Sequence, residues 1–139
     1  MNKEFVPYKE ALALKKLGFD EPCMLCYIDE EYSSKSNLLF SKFEFINSNF
    51  ENNKFKKNSD FNNSITAPTF SQVFRWFRES HKIHINIQQV ANYEGQTIGF
   101  FYEILGENDS KIDIESDTFK TYDETELVCL QKLIEIIKK

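Results

Sequence analysis

Glycine is scarce in this chain, with four residues in 139, and the motifs that depend on it are missing. No G-x-G-x-x-G, P-loop or G-x-S-x-G occurs, so the sequence encodes no recognisable phosphate cradle or nucleophile elbow. Long apolar runs are missing too. Nowhere do about 18 apolar residues follow one another, the length a membrane-crossing helix requires. The first residues, MNKEFVPYKEA, hold no apolar core of a secretory signal. Cysteines number three, an odd count that does not suit a disulfide scaffold. These absences lead to the expectation of a reduced, cytoplasmic protein with no membrane partner and no cofactor.

What is present fits one globular domain with a core of its own. The chain is 41% hydrophobic and 28% charged. Fourteen Phe stand against one Trp, a bias that AT-rich coding explains as well as chemistry does. The net charge of −5 is unevenly spread: residues 1–65 carry nine lysines and ten acids, whereas Glu103 to Glu126 holds nine acids and two lysines. A segment of that sign repels phosphate backbones, so a nucleic-acid partner would need a separate basic face. A basic partner, mimicry of a nucleic acid, or a plain solvated surface are the readings it leaves.

Periodicity outlines the elements. A first helix is expected over Pro7–Leu17, with proline in the first turn, Ala11, Leu12 and Leu14 as its apolar stripe, and Gly18 as C-cap. "CMLCYI" and "NLLFSKFEFI" read as strands. Residues 47–65 have no period and are expected to form a long flexible or inserted loop. Its isolated aromatics Phe50, Phe55 and Phe61 either dock on a partner or fold back onto the core. A second helix opens at Thr69, whose pairing with Gln72 makes a capping box, and buries Phe70, Val73, Phe74 and Phe77. Ile83, Ile85 and Ile87 alternate with polar residues, as do Ile98, Phe100, Tyr102 and Ile104 with theirs. "NYEGQ" joins the two into a hairpin, and "KIDI" adds a short edge strand. A third helix opens at Asp123, with Glu126 three residues on, and presents Leu127, Leu130, Leu133, Ile134 and Ile137. The order α-β-β-loop-α-β-β-(β)-α predicts an α+β fold: one mainly antiparallel sheet of four to five strands with three helices, in a single domain.

Candidate chemistry is thin. Cys23 and Cys26 form a C-x-x-C, and with His81 and His84 they make up a tetrahedral zinc set on paper. The two pairs lie more than fifty residues apart, and in a strand residues three apart point to opposite faces. A redox pair would start a helix, where the dipole lowers a thiol pKa; here the pair enters an apolar run, and strand core is the better reading. Cys129 sits at the edge of the third helix's stripe and reads as a small hydrophobe. Asp113, Glu115 and Asp117 alternate like the start of a calcium loop, but Thr118 stands where glycine is required. In "FRWFRES", Arg75 and Arg78 point outward with Trp76 beside them, an arrangement that could stack on a base or hold a phosphate. Two arginines on an acidic chain leave a faint electrostatic footprint.

Three blocks, "PYKEALALKKLGFDEPC", "TAPTFSQVFRWFRE" and "YDETELVCLQKLIEIIKK", together about a third of the chain, resemble small proteins encoded by bacteriophages, prophages and mobile elements of gut-type bacteria. The Asn- and Phe-rich stretch before Thr66 departs from that group as an insertion. The resemblance implies a context, an accessory protein acting inside a bacterial cell, and carries over no catalytic residue. The expected function is therefore non-enzymatic binding of a host or phage macromolecule, a protein rather than a nucleic acid. A ligand- or nucleic-acid-binding module built on Arg75, Trp76 and Arg78 is the alternative.

Overall fold

The computed structural model describes residues 4–28, 43–45, 57–60, 64–108 and 111–138. Its class is α+β, with three helices, and the chain divides into two compact units at the Thr69/Phe70 junction. The strands do not join one sheet. They form two separate antiparallel sheets of three strands each, one per unit.

In the first unit, helix α1 (Tyr8–Lys16) follows Pro7, whose extended backbone makes it the N-cap. The helix ends as a Schellman motif: Gly18, at φ +97°, donates to the Lys15 carbonyl at 3.1 Å, and Phe19 N–H reaches the Leu14 carbonyl at 3.0 Å. Leu14 and Phe19, the accompanying hydrophobic pair, are both buried. Strand β1 (Leu25–Ile28) lies between β2 (Phe43–Phe45) and β3 (Ser64–Ala67). Leu25, Cys26 and Tyr27 are buried in succession, so both faces of β1 are covered. Tyr8 sets its ring edge-on to Tyr27, centroids 5.5 Å apart, and the Tyr27 hydroxyl donates to the Val6 carbonyl at 2.7 Å. Burial, with Glu10 nearby, pushes the Tyr27 phenol above its ordinary range.

Strand β3 falls where the sequence shows only the end of an aperiodic stretch. "SITA" has one large apolar residue and gives no alternation to detect. A side chain places it instead. Asn58, in a short 3-10 turn (Asn58–Asp60), donates from Nδ2 to the Phe19 carbonyl at 2.8 Å and accepts from Thr66 N–H at 2.9 Å. With this partner available, β1 is satisfied on both edges within the first unit and does not extend the later hairpin. That is why one sheet became two. Of the expected 47–65 loop, residues 47–56 and 61–63 lie outside the described residues, and Phe50, Phe55 and Phe61 are among them.

In the second unit, helix α2 (Phe70–His81) begins directly after Thr69. Its buried residues are Phe70, Val73, Trp76 and Phe77, with Phe74 half-buried, so the face is rotated toward Trp76 from the expected one. Lys82, at φ 56°, turns the chain into β4 (Ile83–Ala91), which pairs with β5 (Thr97–Gly106), which in turn pairs with β6 (Asp113–Glu115). At the hairpin tip the Asn92 side-chain oxygen accepts from Glu94 and Gln96 N–H at 3.0 and 2.9 Å, and Gly95 takes φ +80°.

Helix α3 (Tyr122–Lys138) starts earlier than expected. The cap is Thr121, not Asp123: its hydroxyl accepts from Glu124 N–H at 3.1 Å. Thr121 and Glu124 have the S/T-x-x-E spacing in their own right, which releases Glu126 from any capping role. The buried side of α3 is Thr125, Cys129, Leu130, Leu133 and Ile134, so Cys129 sits inside the stripe rather than at its edge. Tyr122 meets Phe100 edge-on at 5.6 Å, which lays the first turn of α3 on the Phe100–Tyr102–Ile104 side of the sheet. No described helix is long and apolar enough to cross a membrane.

Candidate functional site

The two faces of the β4–β5–β6 sheet differ sharply. Register pairs Ile85 with Ile104 and Ile87 with Tyr102 on the side that α3 covers. Strand alternation puts His84, Asn86, Gln88, Phe101, Glu103 and Leu105 on the other side. There Glu103 stands directly opposite Glu115, and Leu105 opposite Asp113. Like charges facing across an antiparallel pair destabilise a sheet by a few tenths of a kcal/mol up to about 1. Gln88 relieves part of that, donating from Nε2 to Glu103 at 2.8 Å. His84 Nε2 lies 2.7 Å from the Glu107 carboxylate, and both groups are open to solvent. Leu105 remains 42% exposed among these acids, and Phe101 is half-buried. The outer face therefore interleaves two apolar side chains, Phe101 and Leu105, with Glu103 between them, Glu115 and Asp113 on one neighbouring strand, and His84, Asn86 and Gln88 on the other.

The candidates read from the sequence fall elsewhere. Arg75 and Arg78 are exposed on α2 as expected, but Trp76 between them is only 8% exposed. Its ring packs edge-on against His81 at 4.8 Å and Phe77 at 4.9 Å, so it offers no open platform for a base. Cys23 and Cys26 are buried thiols in the first unit, Cys23 donating weakly to the Glu21 carbonyl at 3.4 Å. His81 and His84 belong to the second unit, one packed on Trp76 and the other held by Glu107. Among the described residues no three His, Cys, Asp or Glu side chains gather where a metal ion could sit. Sequence reasoning passed over Leu105 and the Glu103–Glu115 pairing, because the pairing depends on the β5–β6 register. Tyr93, fully exposed at the hairpin tip, was also missed, although an aromatic inside a turn is a visible signal.

On the covered side, a second group of titrating residues gathers around Cys129. Burial, with Glu126 beside it, pushes the thiol up to about 12, so it carries no thiolate at neutral pH. Burial and the neighbouring Asp123 raise Glu126 from its ordinary 4.5 to about 7. A carboxyl with a raised folded-state pKa favours folding in its neutral form. Its contribution is complete below the unfolded pKa near 4.5 and is lost as pH climbs to about 7. Glu126→Gln should therefore match the wild type at pH 4 and exceed it at pH 8. Allowing for solvent screening of a half-exposed group, the gain is on the order of 1 kcal/mol in urea unfolding. Equal stability of the two proteins at pH 8 would contradict it.

The chain matches no family model, no curated protein and no solved structure.

Proposed function

We propose that this chain is a non-enzymatic accessory protein, encoded by a phage or mobile element, that acts in the bacterial cytoplasm by binding a host or phage protein with a basic surface. The reading rests on the outer face of the β4–β5–β6 sheet. There the fold tolerates two opposed carboxylates, Glu103 and Glu115, beside an exposed leucine, Leu105. An arrangement that costs stability in the free protein and would be neutralised by a cationic partner supports a recognition surface, with apolar contact at Phe101 and Leu105 interleaved with the carboxylates. The resemblance of the three sequence blocks to phage and prophage proteins supplies the cellular setting. The alternative site at Arg75 and Arg78 loses weight because Trp76 is withdrawn into the core.

Glu115→Gln separates folding from binding. Removing the like-charge contact should stabilise the protein by up to about 1 kcal/mol. The same change should weaken retention of a stoichiometric partner from bacterial lysate, and salt should weaken the wild-type complex in the same direction. Arg75→Ala with Arg78→Ala should leave that retention intact. A variant that binds as well as the wild type, or retention insensitive to salt, would refute the acidic face. Loss of an oligonucleotide shift on changing the two arginines would restore the alternative.

A further inference from the structure

Backbone hydrogen bonds fix which edge of β4 is open. Phe100 exchanges both of its backbone bonds with Phe119, at 2.8 and 2.7 Å, Ser116 N–H donates to the Tyr102 carbonyl at 2.9 Å, and Gly106 N–H donates to Ile112 at 2.9 Å. Even-numbered residues of β5 thus direct their backbone away from β4, and odd-numbered ones direct it toward β4. The register pairs His84 with Leu105, Asn86 with Glu103 and Gln88 with Phe101. The N–H and C=O groups of Ile85, Ile87 and Gln89 consequently point outward, and no strand among the described residues pairs with them.

Edge strands in monomeric proteins are defended by lysine, proline, a bulge or shortness. Strand β4 has nine residues, IHINIQQVA, without a lysine, arginine, aspartate, glutamate or proline, and its one irregularity lies at the far end, between Val90 and Ala91. In a chain that is 28% charged and carries a net charge of −5, this nine-residue edge is one on which a second copy could approach without repulsion. Mirrored about Ile87, the strand sets one amide against another, Asn86 against Gln88, and no charge against a charge at any position.

We propose that β4 is a homodimer edge, pairing antiparallel with β4 of a second copy about a two-fold axis at Ile87, to give one continuous six-stranded sheet. The outward-pointing residues then meet in the required parity: Ile87 faces Ile87, and Ile85 faces Gln89. That gives about six new backbone hydrogen bonds. Asn86 lies opposite Gln88 of the second copy, where the side-chain amides can bond. The acidic strands of the two copies stay apart. From β5 to β5 across the joint is three strand spacings, about 14 Å, beyond the screening length of about 8 Å at physiological salt. The joint is isologous and closes at two copies.

Sedimentation of the full chain at about 100 μM, where a micromolar interface is populated, should show a dimer. Asn86→Lys combined with Gln88→Lys puts lysine opposite lysine twice, while Glu103 remains available to the new cation within the subunit. The double variant should melt like the wild type in dilute solution, where neither associates, and sediment as a monomer at about 100 μM, at least tenfold weaker in self-association. Amide exchange at Ile85, Ile87 and Gln89 in the unaltered protein should slow as concentration rises, a readout independent of any variant. A wild type that stays monomeric, a dimer that survives both lysines, or protection at those three amides that ignores concentration would each overturn the proposal.

Discussion

Replacing Asn58 with alanine should destabilise the first unit by about 3 kcal/mol, more than any change to an exposed residue in it. The cost comes from two backbone groups rather than from Asn58 itself. Its Nδ2 is the donor to the Phe19 carbonyl at 2.8 Å and its Oδ1 the acceptor for Thr66 N–H at 2.9 Å. Phe19 and Thr66 are 1% and 0% exposed, so water does not readily replace the lost partner. An orphaned buried group costs roughly 1–3 kcal/mol, and two are orphaned here. Asn58→Asp is the sharper variant. It keeps the acceptor for Thr66 but turns a carboxylate oxygen onto the Phe19 carbonyl. That contact raises the folded-state pKa of the new carboxyl, which can donate to Phe19 only when protonated. Its stability should therefore be greatest below about pH 4 and fall as pH rises, whereas the alanine variant should show no such slope relative to wild type. Urea unfolding at pH 4 and pH 7 measures both. An alanine variant within 1 kcal/mol of the wild type at both values would mean that β3 is held by something other than this bridge.

The same residue marks the limit of what could be read from the sequence. The Gly18 cap of α1, the alternation of Ile83, Ile85 and Ile87, and the existence of all three helices follow from local periodicity and capping, and each is present in the structure. Local rules give weaker guidance where two signals overlap. Asp123 with Glu126 and Thr121 with Glu124 both have capping-box spacing, and the hydroxyl at Thr121 prevails. The apolar face of α2 lies a fraction of a turn from the one that the spacing of Phe70, Val73, Phe74 and Phe77 predicts, because Trp76 is buried and Phe74 only half-buried. The partition into two sheets could not be read locally at all. It depends on β3 pairing with β1 from a stretch whose composition reads as loop, next to an Asn58 contact that reaches back 39 residues to Phe19. The outer acidic face was half legible. The excess of carboxylates between Glu103 and Glu126 is plain in the sequence, but their opposition at Glu103 and Glu115 is a matter of register.

Gly99→Ala should be the most damaging single-methyl addition in the second unit, costing about 3 kcal/mol through overpacking. A Cβ at this position would lie 2.5 Å from Thr118 Cγ2 and 2.6 Å from the Phe119 carbonyl oxygen. The carbonyl cannot retreat cheaply. Phe119 is tied to Phe100 by two backbone hydrogen bonds of 2.8 and 2.7 Å, and its ring stacks parallel to Tyr102 at 6.3 Å. Moving the segment away would unzip the connection that leads into α3. Thr118→Ser in the same chain removes the methyl contact but not the carbonyl one, so it should restore less than half of the loss. Gly95 supplies the contrast. It has φ +80° and open space where a Cβ would go, so Gly95→Ala meets only the left-handed backbone penalty, about 1 kcal/mol. If crowding governs the site, Gly99→Ala falls well below Gly95→Ala in denaturant midpoint and Thr118→Ser lifts it partway. Equal losses at the two glycines, or complete rescue by serine, would show that the Phe119 backbone does not press on Gly99 as the distances require.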